Sequence, residues 1–213
     1  MATPARIQPA RRTMLSEYET LKILRKMSPE FIPNAWLPDP TPGGRDYYFL
    51  QFIEGDMACK GGVWNPGFKT SLRDIATFAI QLASTPFRGI GSFHPSTAGN
   101  GGPDVSTDAP SVGPLLRLGA WMELEDAGPY RTSRDAYMAA INHRLLQIEN
   151  GAIGDPAIWG PAYVSLLDVQ DLIMGCDEFA VEGPTYITHG DQKGDIFLVR
   201  PDDTVAAFID WEL

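Results

Sequence analysis

The stretch whose reading decides the fold is Thr185-Tyr186-Ile187-Thr188-His189-Gly190-Asp191-Gln192-Lys193-Gly194-Asp195-Ile196-Phe197-Leu198-Val199, with Val205-Ala206-Ala207-Phe208-Ile209-Asp210-Trp211-Glu212 after it. Residues 185–188, 196–199 and 205–209 form three short strand-like runs. Arg200-Pro201-Asp202-Asp203-Thr204 has turn composition, so the second and third runs are expected to form a hairpin. His189-Gly190-Asp191 directly follows the first run, Asp195 precedes the hairpin and Asp210 closes it. Three carboxylates are therefore expected at one end of a small sheet. Such a cluster is electrostatically costly unless a cation sits among the acids. Hard oxygen ligands suit Mg2+, which bridges phosphates in transferases. On pattern alone a plainer account stays open, with Asp191 capping a turn and Asp202-Asp203 serving as ordinary hairpin chemistry.

Upstream of this stretch, Met14, Leu15, Tyr18, Leu21, Ile23 and Leu24 recur at helical intervals from Thr13, and Ser28-Pro29 closes the run. A proline-rich loop leads to Asp46-Tyr47-Tyr48-Phe49-Leu50-Gln51-Phe52-Ile53, which is expected to be a buried strand ended by Glu54-Gly55. Leu72, Ile75, Phe78, Ala79 and Leu82 make a core helix over 71–84, with Asp74 near its start where the helix dipole favours an acid. Residues 86–129 alternate glycine and proline with little periodicity and are expected to be a loop region. Helices are expected again over 132–148, with Thr132 or Ser133 as cap, and over 161–175.

The composition narrows the function classes. The chain has 213 residues, 44% of them hydrophobic, which is enough to build a core. With 17 Lys+Arg against 27 Asp+Glu the net charge is −10, the wrong sign for a protein that binds nucleic acid by neutralising phosphates. Glycine (21) and proline (18) are abundant, which argues against a helical bundle. Cys59 and Cys176 are far apart and outside any metal-ligand spacing, so a reducing, cytoplasmic location is the default. No stretch has the length of a membrane span, and no membrane partner is expected. Pro4 and Pro9 are expected to break any amphipathic helix in the arginine-bearing N-terminal segment.

The segment 188–199 together with Ile209-Asp210-Trp211-Glu212 resembles the catalytic loop and metal motif of aminoglycoside phosphotransferase-like and choline kinase-like enzymes, including their uncharacterised fungal branch. That superfamily has the protein-kinase-like fold. The resemblance implies an α+β, two-lobe chain that transfers phosphate from ATP, with Mg2+, to a hydroxyl of a small molecule. It implies Asp191 as the catalytic carboxylate that orients and deprotonates the acceptor hydroxyl, and Asp210 as a metal ligand. His189 is implied to support the loop by hydrogen bonding. Residues 17–24 look like the small-lobe helix, with Glu17 matching the glutamate that pairs with the phosphate-holding lysine. Residues 48–55 look like the hinge, with Leu50 at the gatekeeper position and the backbones of Gln51 and Ile53 facing an adenine edge. Residues 82–92 and 113–116 have the character of the fungal branch.

The sequence departs from that pattern in three places. Ile196 stands where the family has a second, metal-binding asparagine, and Asp195 is the nearest candidate ligand, one residue early. The 16 residues before Glu17 contain no glycine and no lysine, so the Gly-rich phosphate loop and its lysine are not matched. The chain ends three residues after Asp210, where the family continues into helices. The expectation is a chain truncated at both ends. Its expected organisation is an unstructured 1–13, a partial small lobe with hinge over 14–56, and a partial large lobe over 57–213. Two functions follow: a phosphotransferase acting on a small-molecule hydroxyl, with a nucleotide and a polar acceptor as partners, or a non-catalytic remnant that binds nucleotide weakly or serves as an interaction module. Oligomeric state is left open.

Overall fold

A computed structural model describes residues 9–39, 46–60, 63–64, 68–95, 111–117, 123–190 and 195–211. The chain is mixed α+β. In order, its elements are α1 (Pro9–Met27), β1 (Ala35–Trp36), β2 (Phe49–Leu50), β3 (Asp56–Met57), β4 (Cys59–Lys60), β5 (Val63–Trp64) and α2 (Phe68–Ala83). Short strands follow: β6 (Phe87–Arg88), β7 (Ser92–His94), β8 (Ser111–Gly113), β9 (Leu115–Arg117) and β10 (Glu123–Ala127). The chain continues with α3 (Ser133–Glu149), α4 (Pro156–Gly175), β11 (Pro184–Thr185), β12 (Phe197–Val199) and β13 (Val205–Phe208). No helix among the described residues is long and apolar enough to cross a membrane.

Two compact units divide the chain. The first comprises Met1–Thr85, Phe93–Ser111 and Tyr186–Leu213, and the second Pro86–Ser92 and Val112–Thr185. In the first unit Leu21 and Leu24 of α1, with Phe31 and Ile32 after it, share one buried cluster with Phe78 of α2 and with Val205, Phe208 and Trp211. Phe208 is central to it, stacked on Phe78 at 4.1 Å between ring centroids and met edge-on by Phe31 at 5.6 Å and Phe197 at 4.9 Å. Its backbone N–H also donates to the Phe31 carbonyl at 2.9 Å.

In the first unit β12 and β13 form the expected antiparallel hairpin, with Leu198 opposite Ala207. The third strand of that sheet is β3, whose Met57 lies opposite Leu198, and not the run 185–188. Pro184–Thr185 pairs instead with β6, as described below. Gly55 leads into β3 where a Cβ would crowd the sheet, lying 3.0 Å from the Val199 carbonyl oxygen and 3.2 Å from the Leu198 Cβ. Helix α2 anchors the hairpin turn: the Ser71 hydroxyl donates to the Asp203 carbonyl at 2.6 Å, and the Asp74 carboxylate accepts the Val205 N–H at 2.8 Å. Asp74 therefore ties strand to helix, beyond the dipole role its position suggests.

Helix α1 begins at Pro9, inside the segment expected to be unstructured. Proline breaks a helix interior, but in the first turn its missing N–H costs nothing because that group has no intrahelical partner. The expected buried strand over 46–53 is also corrected. Only Phe49–Leu50 is strand, paired with β1 through Leu50–Ala35, and Leu50 and Phe52 are 43% and 88% exposed. Its single strand partner among the described residues is β1, and of the run Tyr48 packs against the core cluster while Phe52 stays in solvent.

The second unit is a helical hairpin beside short strand pairs. Ile141 and Leu145 of α3 pack on Ile173 of α4. Thr132 caps α3 by accepting from the Asp135 N–H, as expected, and Asp155 caps α4 by accepting from the Ala157 N–H. Helix α4 starts at Pro156, earlier than the expected 161, and carries Pro161 within it. The region expected to be loop contains strands in its described part: β9 pairs with β10, β6 pairs with β11 through Arg88–Pro184 and Phe87–Thr185, and Ile90 bridges Tyr130. The β6 partner is roughly a hundred residues further along, so local composition carried no sign of it.

Candidate active site

Of the residues singled out in the sequence, Asp191 lies outside the described residues, as do Gln192, Lys193, Gly194 and Glu212. Its neighbours on the near side are placed. His189 is buried, and its Nε2 lies 3.0 Å from the Ile209 carbonyl oxygen. A carbonyl only accepts, so Nε2 carries the hydrogen and donates. The imidazole also packs against Trp211, with ring centroids 4.5 Å apart. Trp211 in turn meets Phe78 edge-on at 5.7 Å and is buried in the core, which fixes the end of β13 to α2.

The hairpin pairing runs one step past Phe208, because the Ile209 N–H donates to the Ile196 carbonyl at 2.9 Å. Asp195 precedes one of these paired residues and Asp210 follows the other. Both carboxylates therefore belong to the same end of the hairpin, and the His189 bond brings residue 189 to that end as well. Asp195 is half-buried and Asp210 exposed. Asp210 has φ of 58°, in the left-handed region that a non-glycine residue enters at a cost. Strain of this kind persists where surrounding structure over-determines it, and here the flanking residues Ile209 and Trp211 are both held.

Among the described residues no group of three or more His, Cys, Asp or Glu side chains is gathered for a metal ion. The donor chemistry nevertheless fits Mg2+. That ion is bound through one or two carboxylates plus substrate phosphates, keeps several waters, and does not need an all-protein cage. Asp195 and Asp210 supply two hard oxygen donors at one hairpin end. Neither has an ion-pair partner among the described residues.

The remaining expected site residues are placed less tellingly. Glu17 is half-buried on α1. That helix reaches the β2 segment through Tyr18, whose ring lies 6.3 Å from that of Tyr48. Gln51 is committed to Asn34: its N–H donates to the Asn34 carbonyl at 2.8 Å, and its side-chain oxygen accepts from the Asn34 N–H at 3.1 Å and Nδ2 at 3.0 Å. Ile53 is half-buried, and Leu50, nearly half exposed, does not form a buried wall.

Ser71, Asp74 and Gly55 were missed as positioning residues. Each acts on a partner more than a hundred positions away, and only the spacing of Ser71 and Asp74 on one helical face gave a trace of it. No protein-family model, curated protein or solved structure matches the chain.

Proposed function

We propose that the chain is an ATP-dependent phosphotransferase of the aminoglycoside phosphotransferase-like family, with the two-lobe protein-kinase-like fold, acting on a hydroxyl of a small molecule. The observation that carries this reading is the bond from His189 Nε2 to the Ile209 carbonyl. It ties the residue two before Asp191 to the residue one before Asp210, which supports a shared frame for a base and a metal ligand. Phosphoryl transfer depends on positioning a hydroxyl in line with the phosphate and on neutralising charge, so a base and a metal site must share one frame.

In this reading Asp191 accepts the hydroxyl proton of the acceptor as its oxygen bonds to the terminal phosphorus of ATP, while the bond from that phosphorus to the bridging oxygen breaks and ADP leaves. Asp210 and Asp195 would hold Mg2+, which would neutralise charge on the nucleotide phosphates. His189 and Trp211 keep Asp210 in its left-handed backbone. The Gln51 carbonyl and Ile53 face the adenine edge, Leu50 flanks it, and Glu17 on α1 orients a cationic group toward the phosphates. A cytoplasmic location, where ATP is available, agrees with the free cysteines Cys59 and Cys176.

The experiment is transfer of the terminal phosphate of labelled ATP to a panel of amino sugars and amino alcohols, with Mg2+ or EDTA. Label appearing in an acceptor with Mg2+, and absent with Asp191→Asn, supports the proposal. Transfer that persists in Asp191→Asn removes the base from this site.

A further inference from the structure

The second unit carries a depression of about 810 Å3 beside the β6–β11 pair, within the range of about 300–1,000 Å3 usual for small-ligand clefts. We propose that it binds a small aryl oxyanion, a carboxylate or phosphate monoester carried on a flat aromatic body. The proposal rests on the second unit alone and is independent of the phosphotransferase reading.

The depression is framed by hydrogen bonds. The Thr185 hydroxyl lies 3.3 Å from the Phe87 carbonyl and 2.8 Å from that of Gly89, and Ile90 and Tyr130 exchange both backbone bonds at 2.8 and 2.9 Å. Gly89 has φ of 90°, and a Cβ there would lie 3.2 Å from the Tyr130 carbonyl oxygen, so the strand approaches Tyr130 as closely as it does only with glycine. Phe87, Tyr130 and Pro184 give the lining flat apolar surfaces, suited to an aromatic ring.

The charged groups of the lining are Arg88, Arg131 and Glu182, two cations to one anion in a chain whose net charge is −10. Arg131 and Glu182 are 3.7 Å apart, with side chains 81% and 62% exposed. A pair so long and so hydrated is weak, so an incoming oxyanion can take the Arg131 guanidinium at little cost. Guanidinium forks match carboxylate and phosphate oxygens in two-point contacts. The nearby Asp135 carboxylate is a second anion close to the lining, engaged by the Thr132 hydroxyl at 2.8 Å in the α3 cap, and its repulsion is a cost that the two guanidinium groups must exceed. Burial first, and the Asp135 charge second, push the Tyr130 phenol above its ordinary value of 10.0, so it offers a neutral hydroxyl and not a second negative charge.

The test is an amide NMR titration of the full chain with benzoate, phenyl phosphate and, as the cationic counterpart, benzylamine. Saturable shifts at Phe87, Arg88, Gly89, Tyr130, Arg131 and Gly183 are expected with the anions and not with benzylamine. The tighter of the two anions identifies the preferred headgroup. Arg88→Gln with Arg131→Gln is expected to weaken binding by about tenfold or more, given the strength of charge-assisted bonds. Glu182→Gln, which frees Arg131, is expected to tighten it. All three side chains are exposed, and amide dispersion checks that the variants keep their fold. No saturable shift, equal response to benzylamine, or unchanged affinity in the double variant overturns the proposal.

Discussion

The His189 imidazole donates from Nε2 to the Ile209 carbonyl at 3.0 Å, a side chain closing a bond to the backbone immediately before Asp210. The bond does for the strand end what ladder pairing does within the sheet, since Ile209 is already paired through its N–H to Ile196 at 2.9 Å. His189→Ala removes the donor, leaves the carbonyl unmet and strips packing from Trp211. The expected cost is about 1–3 kcal/mol, read as a lower denaturant midpoint at unchanged slope. An unchanged midpoint means the bond does not hold the strand end.

Asp210 at φ 58° gives a test in which stability and binding move in opposite directions. Glycine adopts that backbone freely, so Asp210→Gly is expected to raise stability by about 1 kcal/mol while removing a Mg2+ ligand. Thermal unfolding with and without Mg2+ and ATP checks both. If Asp210→Gly is less stable than the parent, the left-handed residue is not strained.

The Asp74 carboxylate accepts the Val205 N–H at 2.8 Å, and Val205 is almost wholly buried. Asp74→Ala leaves that N–H without a partner and is expected to cost about 1–3 kcal/mol. Asp74→Asn keeps an acceptor oxygen and should recover most of the loss. Equal losses in the two variants would show that the contact acts only through charge.

The hairpin turn should respond to acid. The Thr204 hydroxyl and N–H donate to Asp202 Oδ1 at 2.7 and 3.1 Å, and these bonds hold its carboxyl below the ordinary value of 3.8. A lowered value in the folded state contributes stability above pH 3.8 and loses it as pH falls through the lowered value. The Thr204 amide resonance is therefore expected to keep its native position below pH 3.8 and to move only in stronger acid. In Asp202→Asn that transition should vanish. A midpoint at or above 3.8 contradicts the bonding.

What the sequence made legible was local. Helical spacing located α1, α2, α3 and most of α4, the capping role of Thr132 was readable from its position, and Arg200–Thr204 announced the turn between β12 and β13. What it hid was pairing at a distance. Residues 185–188 have the composition of a strand beside the hairpin, yet Thr185 bonds toward β6 and the sheet takes β3 as its third strand. The run 46–53 looked buried because its side chains are apolar, but only Tyr48 of it packs against the core cluster and Phe52 is 88% exposed. Pro9 was read as a helix breaker by identity, whereas its place in the first turn decides its effect. Of the residues singled out, His189 meets Ile209 and Trp211, neighbours that the motif itself names. The supports Ser71 and Asp74 were not legible, since a serine and an aspartate on a helix have many other uses.

The most direct test of the proposed site is Mg2+-dependent ATP binding, measured calorimetrically on the full chain and on Asp210→Asn and Asp191→Asn. The account expects ATP to bind with Mg2+ and far more weakly in EDTA, the Mg2+ dependence to be lost in Asp210→Asn, and binding to survive in Asp191→Asn, whose role is toward the acceptor. Binding that is indifferent to Mg2+, or unchanged by Asp210→Asn, contradicts a phosphotransferase site at this end of the hairpin.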